Sequence, residues 1–467
     1  MLFNSYQFIL LFLPITVTGY FLLNKRRLVK AANVWLAAAS LFFYSYWNIA
    51  YLPLLLASIA FNYGVGSLLS RTMGDNPSLR KWILAAGVIG DVGLLGYYKY
   101  ADFFIANYNA LVPADIPLLH VILPLGISFF TFTQIAYLVD AYRGLAKEYN
   151  IVNYVLFVTF YPHLIAGPIL HHKEMMPQFA KLSGKTFRYR NAALGVYLFS
   201  LGLAKKVLIA DNLAPIATEG FDAASKLGFT DAWITSLAYT FQLYFDFSGY
   251  TDMAIGAALL FNIKLPVNFN SPYKSLSIQD FWRRWHMTLS RFLRDYIYIP
   301  LGGNRNGEVR TYTNLMLTFL IGGFWHGAGW TFVMWGFLHG FALVGHRAWS
   351  KLNIAMPRPF AWFLTFMFVN VTWVFFRADT FGDALKVLRG MFGFNGIDIL
   401  YKLHSPSVVL TLAGGAIAAA IALLAPNTNE LFAKFRPAPW QAAVVAAAAV
   451  LALLHFNRIS EFLYFNF

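Results

Sequence analysis

No cysteine occurs among the 467 residues, so the chain can form no disulfide, offers no thiol nucleophile and cannot hold a cysteine-ligated zinc. Any acyl relay on it must use oxygen or nitrogen. Charge is scarce as well: Asp, Glu, Lys and Arg together make up 12% of the chain, about half the usual soluble share. Acids are the scarcer sign, 21 against 36 bases. No long polar block separates the apolar runs, which argues against soluble modules on linkers. No internal repeat is visible, so the inverted halves of many secondary transporters have no counterpart here. The first apolar span starts at Gln7, without a basic region before it or a small-residue cleavage pattern after it, which speaks against a removed signal peptide.

What is present is hydrophobicity, 58% of the chain, in runs from end to end. Candidate spans are Phe8–Leu23, Ala32–Trp47, Leu52–Leu69, Ile83–Tyr98, Leu118–Leu138, Tyr154–Leu170, Ala193–Leu213, Ala232–Phe261, one or two within Thr311–Val344, then Phe360–Phe376, Val408–Leu424 and Ala442–His455. They predict an all-α polytopic membrane protein with about 11–13 membrane segments, some broken or re-entrant, in one integrated domain over 1–467. Its core for chemistry lies at about 118–346. The net charge of +15 is scattered between spans with no nucleic-acid-binding motif, so it fits the positive-inside rule and anionic lipid headgroups. Lys25-Arg26-Arg27 with Lys30, and Lys181, Lys185, Arg188 and Arg190, then mark cytoplasmic loops, and both termini fall outside.

Thr311 to His346 carries no charge over 36 residues and holds Gly322-Gly-Phe-Trp-His326-Gly-Ala-Gly329 near its middle. A straight helix of that length would reach about 54 Å, beyond the roughly 30 Å hydrocarbon core, so the run must bend or break. Gly322, Gly323, Gly327 and Gly329 mark where. An imidazole deep in such a run is a functional candidate; desolvation biases it toward the neutral, proton-accepting form that general base catalysis needs. Ahead of it, Ser277 to Pro300 has helical spacing, with Ser277 and Asp280 as a capping pair. Arg283, Arg284, Arg291 and Arg294 fall within roughly 100° of arc, and His286 lies beside the aromatic face. Such a row serves either as an interfacial anchor or as a holder for the phosphates of an acyl carrier such as coenzyme A.

Other polar residues read more plainly. A membrane histidine such as His339 commonly bonds a neighbouring helix, and His163 sits at an expected helix break. His171 and His172 point apart, no HExxH occurs, and a metal site is a poor reading. Asp246 and Asp252 are six apart, unsuited to an acid/base couple and expected to bond arginines or backbone; Asp140 and Arg143 suggest an ion pair.

Trp282-Arg-Arg-Trp-His286, Tyr298-Ile-Pro-Leu-Gly-Gly-Asn304, Gly323-Phe-Trp-His326-Gly-Ala-Gly-Trp330 and Trp335-Gly-Phe-Leu-His339-Gly strongly resemble the membrane-bound O-acyltransferase (MBOAT) family, most closely its bacterial branch that acetylates exported polysaccharides such as alginate. Leu123-Pro-Leu-Gly-Ile-Ser-Phe and Ala166-Gly-Pro-Ile are similar to that branch too. The resemblance implies a bundle of helices around a tunnel in the bacterial cytoplasmic (inner) membrane, with His326 at the family's essential position and His286 at its second polar position. It implies acetyl-CoA as donor without a permanently bound cofactor, a periplasmic acetyltransferase partner, and a polysaccharide synthase and export complex. Alginate is the first acceptor to consider, with cellulose or peptidoglycan next. The tail Glu461-Phe-Leu-Tyr464-Phe-Asn-Phe467 looks like the aromatic end of such systems, where Tyr464 is either a transient acyl acceptor or an interfacial anchor. The rival classes are a transporter or pore without acyl chemistry, and a scaffold in which His326 is replaceable.

Overall fold

The computed structural model describes residues 1–467 apart from 73, 75, 149, 398–405, 457–461 and 464–467; among the described residues every regular element is helical. A π-helical turn at Gln7–Phe12 runs into α1 (Leu13–Lys25), followed by α2 (Val29–Ser45) and α3 (Leu52–Arg71). α4 (Pro77–Leu95) continues through a π-helical turn at Gly96–Tyr100 into α5 (Ala101–Leu111). Next come α6 (Ile127–Tyr142), α7 (Ile151–Thr159), α8 (Tyr161–Leu164), α9 (His172–Ala180), α10 (Tyr189–Ala204) and α11 (Asp211–Thr218). The 32-residue α12 (Phe229–Leu260) precedes α13 (Ile278–Trp282) and α14 (Met287–Leu293). α15 (Glu308–His326), α16 (Trp330–Ser350), α17 (Arg358–Arg377) and α18 (Phe381–Met391) lead to helices at Pro406–Leu423, Thr428–Ala433 and Pro439–Leu454.

Among the described residues, four helices are long and apolar enough to cross a bilayer unaided: Gln7–Lys25, Ile49–Arg71, Tyr189–Ala223 and Arg358–Arg377. The remaining expected spans are shorter, broken or more polar. The span expected from Leu118 becomes helical only at Ile127, and the Asp102 carboxylate ties the preceding loop by accepting the Leu119 and His120 N–H groups at 2.7 and 2.9 Å. The span expected over Tyr154–Leu170 ends at Thr159 and resumes as one short turn around Pro162. Proline supplies no N–H and suits a first helical turn better than an interior.

Every residue of α12 from Ala238 to Leu259 is buried, so this helix is the post around which the bundle packs. Glycines let α10 approach it: a methyl group on Gly202 would strike the Gly249 carbonyl, and one on Gly195 would strike that of Gly256. Small residues at the crossing permit backbone contact where lipid supplies no hydrophobic drive. Asp246 and Asp252 of α12 pair with lysines rather than the expected arginines, and Asp246 also accepts the backbone N–H of Leu463. Lys205 pairs with Asp252 at 2.7 Å, and Lys206 with Asp246 at 2.5 Å and Asp211 at 2.8 Å. Asp140 likewise bonds Tyr296 at 3.0 Å and faces His171 at 3.4 Å, while Arg143 lies over the Tyr296 ring.

The two basic segments expected in the cytoplasm lie side by side, because Lys185 Nζ reaches Tyr20 Oη and Asn33 Oδ1, each at 3.1 Å. Replacing Gly249 by Leu should abolish recovery of monodisperse protein in detergent, measured by size exclusion. Gly64→Leu should be tolerated, since nothing lies within 4 Å of a methyl group built there.

Candidate active site

The long uncharged run breaks at Gly327–Gly329, which separates α15 from α16 and leaves His326 as the last residue of α15. Both flanking glycines are extended, with φ of −160° and −157°, so the break does not depend on left-handed backbone. What Gly327 requires is space, since a Cβ would enter the Phe332 ring. Gly322 and Gly323 stay helical, and Gly323 faces the Gly336 backbone and the Phe332 carbonyl, locking the two helices together. His326 is 3% exposed, with Trp325, Trp335 and Phe376 around it at ring separations of 4.9, 5.2 and 5.1 Å.

A helix that ends inside a bundle leaves carbonyls to be satisfied. Here Lys99 Nζ donates to the carbonyls of Trp325 and His326 at 2.6 and 3.0 Å, and to Ser128 Oγ at 3.2 Å. Tyr100 Oη donates to the Phe324 carbonyl at 2.9 Å. Neither residue stood out in the sequence, although the charge in Gly96-Tyr-Tyr-Lys-Tyr100, at the end of an apolar run, was the available signal.

The basic aromatic segment is not one helix. It stops after Trp282, where the Ser277 cap holds as expected, turns, and restarts at Met287 from a left-handed His286 (φ 41°, ψ 54°). A non-glycine residue in this region costs roughly 1–3 kcal/mol and persists only where its surroundings impose it. Asn268 does so. Its Oδ1 accepts from the Thr288 N–H and Oγ1 at 3.1 and 2.9 Å, which fixes it as an acceptor, so His286 Nδ1 at 3.1 Å carries the hydrogen and Nε2 keeps a lone pair. Phe129 packs against both His286 and Trp325, linking the two candidate histidine regions.

The four arginines consequently share no single face. Arg283, Arg291 and Arg294 line a cavity of about 810 Å³ together with Arg347, which sequence spacing could not place there. Arg284 turns to Asp280 at 2.9 Å and is not among that lining. Arg291 bonds Glu174 at 2.7 Å and Arg347 bonds Glu308 at 3.2 Å. A second cavity, about 710 Å³, is lined by Lys99, Asp102, Gly327, Phe376, Arg377 and Leu463 among others. The two sit at opposite ends of the α15/α16 pair: Phe319 and Leu343 face the arginine cavity, Gly327 and Phe332 the other. Phe319 and His326 are about 10 Å apart along the helix.

The tail reaches the second cavity. Leu463 lines it, its N–H donates to Asp246 Oδ2 at 3.1 Å, and Phe462 packs on Tyr250 at 4.8 Å. Tyr464 lies outside the described residues.

Four other histidines have structural partners. Trp282 Nε1 donates to His339 Nδ1 at 3.2 Å, so Nε2, 3.1 Å from Thr372 Oγ1, carries the hydrogen; His339 thereby bridges α13, α16 and α17. His163 donates through Nε2 to the Phe157 carbonyl at 3.0 Å, closing the broken turn. His171 faces Asp140 and His172 faces Glu148, two different carboxylates.

The membrane-bound O-acyltransferase family matches residues 38–378, which contain both candidate histidines and both cavities' main walls. A peptidoglycan O-acetyltransferase of Helicobacter pylori is 53% identical over 442 residues, covering 88% of this chain and 83% of that protein. The probable alginate O-acetylase AlgI of Azotobacter vinelandii is 44% identical over 401 residues, 84% of this chain and 78% of its own. A teichoic acid D-alanyltransferase of Streptococcus thermophilus is 29% identical over 239 residues, 49% of this chain and 57% of its own. The chain belongs to the membrane-bound O-acyltransferase family and is an O-acyltransferase.

His339→Ala should remove two buried hydrogen bonds and lower stability by about 2 kcal/mol. The measurement is thermal unfolding in detergent; an unchanged midpoint would show that the bridge contributes nothing.

Proposed function

We propose that this member of the membrane-bound O-acyltransferase family transfers acetyl groups from cytosolic acetyl-CoA across the bacterial cytoplasmic membrane for O-acetylation of an exported glycan. The observation that carries the reading is the position of His326, at a chain break between a basic cavity and a second cavity at the opposite end of the same helix pair. Arg291 bonds Glu174 of α9, next to the Lys181–Arg190 basic segment, which by the positive-inside rule supports a cytoplasmic arginine cavity. Guanidiniums of Arg283 and Arg294 would engage the phosphates of the donor, as forks that match phosphate geometry.

The chemistry then follows from the imidazole. An acceptor hydroxyl, entering from the second cavity, attacks the thioester carbonyl while a neutral imidazole nitrogen of His326 takes its proton. The C–S bond breaks as the ester forms, and the imidazolium returns the proton to the departing thiolate. His286, with its Nε2 lone pair, is the second candidate for handling that proton. Leu463 in the cavity wall supports a tail acceptor, so Tyr464 is proposed as a transient carrier handing acetyl to a periplasmic acetyltransferase working beside a polysaccharide synthase and export complex. Among acceptors, peptidoglycan moves ahead of alginate, because the relative that acetylates peptidoglycan is 53% identical and the alginate-named one 44%.

In liposomes with radiolabelled acetyl-CoA, His326→Ala should lower acetyl transfer by about 10²–10⁴-fold with normal protein levels. Unaltered transfer would remove the assignment, and label crossing intact without thioester cleavage would favour a transporter. Arg283→Ala combined with Arg294→Ala should raise KM for acetyl-CoA about tenfold, as expected for roughly 1.4 kcal/mol of lost phosphate contact, and leave kcat close to wild type. Tyr464→Phe should block delivery to the glycan while sparing acetyl-CoA cleavage; full delivery would make Tyr464 an anchor only.

A further inference from the structure

The end of α15 is an unfavourable place for a histidine that must stay neutral. The C-terminal carbonyls of a helix carry about half a negative charge and stabilise a nearby imidazolium, which has no lone pair with which to accept a proton. In this protein those carbonyls are covered by two side chains from one π-helical turn. Tyr100 bonds the Phe324 and Trp325 carbonyls at 2.9 and 3.3 Å, and Lys99 bonds those of Trp325 and His326. The wider π turn lets two consecutive residues reach the same helix end.

Lys99 differs from Tyr100 in that it can carry charge. Its three ammonium hydrogens match three acceptors, two backbone carbonyls and Ser128 Oγ, and all three are neutral. Asp102, one turn further along the same helical stretch, directs its carboxylate to the Leu119 and His120 N–H groups instead. An ammonium in that position offsets the partial negative charge of the helix end that bears the imidazole.

We propose that Lys99 is the positioning residue for His326: it fixes the broken helix end and holds the imidazole in its proton-accepting form. The inference rests on the acyl-transfer reading above. A positive neighbour also makes the imidazolium formed during transfer a stronger acid, which favours return of the proton to the departing thiolate. The other titratable or charged groups facing this region are His286 and His339 on the inner side, and Asp102, Asp222, Tyr239, Arg377 and Asp379 around the second cavity.

The test is acetyl transfer in proteoliposomes measured against pH for Lys99→Met, Lys99→Arg and Tyr100→Phe. Lys99→Met should lower kcat about 100-fold with KM for acetyl-CoA within about threefold. Its acid limb should move up by about one pH unit, because loss of the ammonium exposes the imidazole to the helix end. Lys99→Arg should retain the wild-type limb, and Tyr100→Phe, which removes a cap but no charge, should lower kcat less than about fivefold without moving it. A Lys99→Met enzyme within threefold of wild type, or a loss that Tyr100→Phe reproduces with an unmoved limb, overturns the proposal. Should Lys99→Met fail to accumulate, Lys99→Arg decides: a retained limb supports the role and a shifted one refutes it. The failures are separable, since His326→Ala retaining transfer defeats the acyl-transfer reading itself, whereas its inactivity beside an active Lys99→Met defeats only the role of Lys99.

Discussion

Backbone carbonyls that lose their helical partners inside a bilayer must find other donors, because hydrocarbon offers none and each orphan costs several kcal/mol. A helix break at the depth of His326 is therefore possible only with a dedicated donor set. Lys99 and Tyr100 supply it, and the π turn that carries them exists at the right height because α4 and α5 form one nearly continuous helical stretch. From that one requirement follow the placement of the imidazole in the last turn of α15, the extended Gly327–Gly329 link, and the opening of a cavity beside that link.

The same constraint governs the charges on α12. Asp246 and Asp252 are admitted to its buried stretch only with Lys206 and Lys205 against them, and both pairs have further partners. Lys205 also holds Thr428, and Asp246 also accepts the Leu463 N–H, so the ion pairs tie the C-terminal elements to the central helix. Removing one partner of such a pair leaves an uncompensated buried charge, a far greater cost than the pair's own net contribution. The pairs thus act less as a source of stability than as a specification of where the tail lies.

Much of the architecture was legible because lipid-facing helices leave an uninterrupted apolar run. The span expected at Phe8–Leu23 appears within Gln7–Lys25, and that expected at Phe360–Phe376 within Arg358–Arg377. The Ser277 cap was legible too, since its bond to the Asp280 N–H is local. What could not be read is nonlocal. Periodicity carried a helix straight through Arg283 to His286, whereas the turn there is imposed by Asn268, 18 residues earlier. The partners of Asp252 and Asp246 stand 47 and 40 residues away, in a π turn that a helical wheel does not represent. Lys99 looked like an ordinary lysine at the end of a span because its two carbonyl acceptors lie more than 220 residues downstream.

On the proposed acyl transfer, the break in α15 would let a single residue serve two compartments. An unbroken helix would fill the space between its ends and offer side chains only to its flanks. Ending it at His326 lets the Gly327–Gly329 link line the second cavity, while the preceding turns, through Thr318 and Phe319, still form a wall of the arginine cavity. Trp282, Trp335 and His339 close the space between by aromatic packing and the Trp282–His339 hydrogen bond, with Trp335 against His326 on one side and His339 on the other at 5.2 and 4.7 Å. An aromatic plug of this kind excludes water from the imidazole, which strengthens each local electrostatic interaction.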